Sequence, residues 1–273
     1  MESSKKKVAI AVGLSLLAVL FSVALLFHRK PDEGTTRTQT QYDIIVSSPA
    51  ASVTPSAPSA SPSISFSPSL TALSIPEKLN SDFFNEDNPP VDWADTSLLI
   101  PHEAIRHQMK MMVQSVQAIP DDLENNEAWK VTLFSKWYID YFYESVHEHH
   151  DNEEDIYFPW IKTRAVMPHE QFSSSHEELV SNMGSIKKIC ATILDKGGID
   201  CNDEIASLKN QIRAFEVDMR AHLKEEEEVI PQLLRNHFTH EEEERVVQQI
   251  SFAGGLEFAR KFLPAILLSA EEW

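Results

Sequence analysis

Apolar residues recur every three or four positions along most of the C-terminal two-thirds of the chain, the signature of amphipathic helices. A first helix is expected from a cap at Asp95 or Thr96 through Leu99, Ile105, Met109, Met112 and Val116 to Ile119. A second runs from about residue 126 to 160, and its stripe passes through Phe134, Tyr138 and Phe142 toward Ile156. A third begins near Pro168 or Ser173, continues through Leu179, Met183 and Ile186, and stops before Gly197-Gly198. A fourth carries Ile205, Leu208, Ile212, Phe215, Met219 and Ile230. Thr239 with Glu242 makes a capping pattern that opens further helix over 239–273. No stretch alternates with the period of a strand. The class is all-α, and four helices with short connections predict an up-down-up-down four-helix bundle over 94–238.

The N-terminal third differs. After a short basic stretch (1–7), residues 8–27 form an uncharged apolar run of bilayer length, read as an uncleaved single-pass transmembrane helix. Residues 28–93 are rich in Ser, Thr and Pro and read as a disordered stalk. Lys5, Lys6 and Lys7 before the run favour a cytoplasmic N-terminus, which puts the C-terminal domain on the non-cytoplasmic side. The chain carries 24 basic and 42 acidic residues, of which five and one fall in the first thirty, so the rest has a net charge of −22. That sign excludes nucleic acid as a partner. It suits a cation-rich interior. Cys190 and Cys201 flank the glycine turn and are either a disulfide or two free thiols; neither belongs to a zinc motif.

The second helix sets a histidine and a glutamate into its core stripe. His149 and Glu153 are four residues apart and project from one face. His222 and Glu226 repeat the pair near the end of the fourth helix. In an alternating bundle the ends of helices two and four lie level with the starts of one and three, and those starts carry His102 and His176. Four imidazoles and two carboxylates at one level exceed what a single zinc ion takes and suit two metal ions, with iron favoured by the mixed nitrogen and oxygen set. His147 and His150 flank the pair as surface residues, with His150 the alternative ligand. Arg106 follows His102 by one turn and can pair with a nearby carboxylate or with solvent. The HExxH spacing of zinc proteases is absent, and only one Glu-x-x-His occurs, Glu144 to His147.

With His102-Glu103, His149-His150-x-x-Glu153-Glu154, His176-Glu177 and His222-x-x-x-Glu226-Glu227 in this order, the chain resembles the hemerythrin-like (HHE cation-binding) family. The resemblance implies a non-haem di-iron site that binds dioxygen or nitric oxide, or senses iron or oxygen. Oxygen-carrying members have a second histidine one turn after the third-helix ligand; here that position is Val180, which implies an open metal position. An oxidase or peroxidase on the same site, and a metal-free interaction module, are the alternative functions.

Overall fold

A computed structural model describes residues 79–271 of the protein. The described chain is helical, with no strand among its residues. Helix α1 is Trp93–Gln117; α2 is continuous over 128–161; α3 is His169–Asp195; α4 is Asn202–His237; and α5 is His240–Glu271. Helices α1 to α4 are neighbours in ring order, α4 closing back on α1. The early turns of α1 and α3 come level with the late turns of α2 and α4, so successive helices run in opposite directions.

Local chemistry moves the expected ends. The α1 cap is Asp92, whose side chain accepts the N–H groups of Ala94 and Asp95 at 3.0 and 3.4 Å. Asp95 is engaged instead by the Val91 N–H at 2.8 Å and by Arg235 of α4. Gly197 and Gly198 (φ +64° and +76°) turn the chain after α3. At Gly198 any Cβ would lie 2.7 Å from the Ala128 carbonyl oxygen, so glycine is required there. Pro231 falls inside α4, which continues past it to His237. Cys190 and Cys201 are both buried free thiols.

Helix α2 contains two widened π turns, Tyr138–Tyr143 and Glu153–Tyr157. In the second, the Phe158 N–H reaches back five residues to the Glu153 carbonyl. This turn directly precedes Pro159, whose ring would crowd the carbonyl four residues back in a regular helix. The extra residue shifts the stripe. Tyr157 and Phe158 are buried where the regular period pointed to Ile156, which is only partly buried.

Two apolar layers fill the bundle. Met109, Phe142, Val146, Met183, Met219 and Leu223 belong to one; Leu98, Phe158, Phe172, Ile230 and Leu234 belong to the other. Between them lies a layer of buried polar residues from all four helices. Helix α5, kinked at Gly255 (φ +58°), packs on α1 and the adjacent part of α2, inserting Phe262, Ala265 and Ile266 into the first apolar layer.

The membrane placement is corrected by the structure. No helix among the described residues is long and apolar enough to cross a membrane. Each carries charged side chains at helical spacing along its solvent face, which interrupts any run of bilayer length. The apolar run 8–27 lies outside the described residues, as does the stalk up to residue 78. Residues 79–92, read from sequence as the end of that stalk, are held on the bundle, with Phe84 buried.

Candidate metal centre

The polar layer brings together the six side chains singled out in the sequence, and a seventh. His102, His149, His150, Glu153, His176, His222 and Glu226 are all buried. Donor atoms of His102, His149 and Glu153 lie within 4.8 Å of one another, as do those of Glu153, His176 and Glu226, and those of His150, His176 and His222. His149 Nε2 lies 3.3 Å from Glu153 Oε1, and His176 Nε2 lies 3.5 Å from Glu153 Oε2. Glu226 likewise spans the cluster: its Oε2 is 3.4 Å from both His102 Nε2 and His222 Nε2, and its Oε1 is 3.5 Å from His176 Nε2. The two carboxylates therefore lie between the two sets of imidazoles.

His150 is the residue that helical spacing misplaced. It is 2 % exposed, and its ring stacks on His176 at 4.4 Å between centroids. Its ring nitrogens group with those of His176 and His222, while Val180 packs against the apolar layer. Both α3 and α4 face this edge of α2, so the buried sector is wide enough to take adjacent residues. His147 does face outward and pairs with Asp151 at 2.9 Å.

The glutamate after each aligned pair also has a role, which helical spacing alone does not mark. Glu227 Oε1 accepts from His102 Nδ1 at 3.0 Å, and Glu154 Oε1 accepts from His176 Nδ1 at 2.7 Å. The repeated His-x-x-x-Glu-Glu was the signal: the first glutamate points into the layer and the second to the histidine of the next helix. Arg106, far from solvent-paired, is 1 % exposed and grips both oxygens of Glu227 at 2.8 and 3.0 Å, with Glu103 at 3.1 Å. Burial alone would raise the Glu227 carboxyl, but His102 and Arg106 hold it below its ordinary value. Glu154 takes hydroxyl bonds from Ser173 at 2.9 Å.

Many inward donors lack any hydrogen-bond partner. They include both oxygens of Glu153 and of Glu226, Nε2 of His102 and His149, and both ring nitrogens of His150. Orphaned buried carboxylate oxygens are expensive. Burial and the nearby Glu226 push the Glu153 carboxyl up to about 7. The donor set fits a metal: ligands bonded at about 2.1 Å to one ion stand roughly 3.0–3.4 Å apart, which is the range of most separations above.

A second buried polar chain links α2 and α1 to α5. Tyr157 O–H donates to Ser97 Oγ at 2.8 Å, and Ser97 donates to Glu243 Oε1 at 2.5 Å. Burial pushes Glu243 up to about 7. Between the unfolded value near 4.5 and about 7 the folded chain keeps a proton that the unfolded chain releases. Stability is therefore lost as pH rises through that window, on the order of 3 kcal/mol. In chelator-treated protein, Glu243→Gln is expected to match wild type at pH 4 and to melt several degrees higher at pH 8. Parallel melting curves across that range would refute the assignment.

The hemerythrin HHE cation binding domain model matches residues 96–234, a span that contains all seven clustered side chains. No curated protein matches the chain, and no solved structure matches it.

Proposed function

Since the chain belongs to the hemerythrin HHE cation-binding family, we propose that the cluster holds two non-haem iron ions, through which the protein binds dioxygen or nitric oxide or senses iron or oxygen. His102 and His149 would hold one ion and His150, His176 and His222 the other, with the Glu153 and Glu226 carboxylates lying between the two sets. The observation that carries this reading is the convergence of buried donors that have no other partner, above all the four carboxylate oxygens of Glu153 and Glu226. Imidazole and carboxylate without thiolate suit iron. A bound iron pair supplies electron transfer to, or binding of, a small ligand.

The chain's own residues prepare the site for that role. Glu227 and Glu154 hold the Nδ1 proton of His102 and His176, which turns the Nε2 lone pair of each toward the carboxylates. Phe262 of α5 lies parallel to His149 at 6.3 Å, and Phe158 lies parallel to His176 at 5.6 Å, so both rings are walled from water.

Anaerobic loading of the full chain with ferrous iron, followed by metal analysis and visible spectra under air, tests the proposal. Two irons per chain are expected. His150→Ala is expected to keep one firmly and hold the other weakly. Retention of both by His150→Ala would return the ligand set to six residues, and uptake of one zinc in preference to iron would overturn the two-iron reading.

A further inference from the structure

Residues 79–92 lie outside the matched span, yet they complete the shell of charge behind His102. Ser81 Oγ donates to Glu227 Oε2 at 2.6 Å. The same Oγ accepts the N–H groups of Phe83 and Phe84 at 3.1 and 2.9 Å, so its lone pairs are taken and its proton is aimed at Glu227. The Asn80 N–H donates to Glu103 Oε2 at 2.8 Å, and Glu103 also takes Arg106. From α4, Arg220 donates to the Asn80 carbonyl and to Asp82 at 3.2 and 3.0 Å.

A carboxylate offers about four acceptor sites, and Glu227 fills four: His102 and Arg106 on Oε1, Arg106 and Ser81 on Oε2. Glu227 is 1 % exposed, so water is poorly placed to replace a lost donor. A metal ion on His102 Nε2 fixes the ring proton on Nδ1, the tautomer that donates to Glu227. Without the ion the Nδ1–H still meets Glu227, but the ring is less polarised and its bond to the carboxylate is weaker.

We infer that Ser81 is a positioning residue of the metal centre, acting through Glu227 on His102, and that the seating of residues 79–92 is coupled to metal occupancy. The inference rests on the two-iron reading above. Coupling of this kind is reciprocal: whatever the segment adds to metal retention, the metal returns to the segment's order.

The test uses the full chain loaded anaerobically with ferrous iron, as wild type, Ser81→Ala and Ser81→Thr. Iron release to excess chelator and amide hydrogen exchange across residues 79–92 are measured. Ser81→Ala is expected to release one iron on the order of ten times faster than wild type. Ser81→Thr, which keeps the hydroxyl, is expected to restore slow release. In wild type, residues 79–92 should exchange more slowly loaded than stripped. Equal release from wild type and Ser81→Ala, or equal exchange with and without iron, overturns the coupling while leaving the metal centre standing. A melting point lowered by Ser81→Ala with release unchanged makes the contact structural only and also overturns it. A wild-type chain that takes up no iron removes the metal reading itself, and the coupling with it.

Discussion

Stripping iron from the loaded protein is expected to lower its melting temperature by roughly 15–30 °C. Each ion held about a thousandfold above its dissociation constant contributes about 4 kcal/mol, and about 1 kcal/mol moves a domain of this size by roughly 2–4 °C. The sign follows from the site. Glu153 and Glu226 set four carboxylate oxygens without hydrogen-bond partners between two apolar layers, and a cation there satisfies them all at once. Readdition of ferrous iron should restore the loss. Glu226→Ala, which removes one bridge, should melt at nearly the same temperature with and without iron. Loaded and stripped wild type melting within a degree or two of each other would put the ions somewhere other than this layer.

Arg106→Leu is expected to cost about 3–5 kcal/mol, because it leaves Glu227 buried without its cation. The guanidinium meets both Glu227 oxygens and one of Glu103, a geometry that lysine does not reproduce, so Arg106→Lys should recover only part of the loss. The double change Arg106→Met/Glu227→Leu separates two roles of this network. Replacing a buried ion pair with apolar side chains should return much of the stability, yet His102 would still lack the acceptor for its Nδ1 proton and hold metal less tightly. Thermal melts of the stripped variants read the first effect, and iron release reads the second. A double variant that holds iron as wild type does would show that Glu227 serves the fold alone.

Much of the centre was legible because alternating helices impose a level. Once the apolar spacing set four helices, His149–Glu153 and His222–Glu226 fixed a height in the bundle, and His102 and His176 were the residues at that height on the other two. That inference needs only 3.6 residues per turn and short connections. It therefore reached six of the seven side chains that the structure brings together.

What the sequence left undetermined depends on neighbours. The period of a helix gives the mean direction of each side chain but not how wide a sector the surrounding helices bury. That is why His150, beside His149, was set on the surface although α3 and α4 both reach it. The π turn at Glu153–Tyr157 moved the stripe from Ile156 to Tyr157 and Phe158, an offset that a regular period does not contain. Arg106 became a buried anchor only because Glu227 of another helix meets it, and Ser81 counts only because its segment folds back over α1 and α4. Intervals within one helix were thus set by the chain itself. Contacts between residues 20 to 150 positions apart were set by packing, where an unpaired buried charge or an orphaned donor costs more than any local preference.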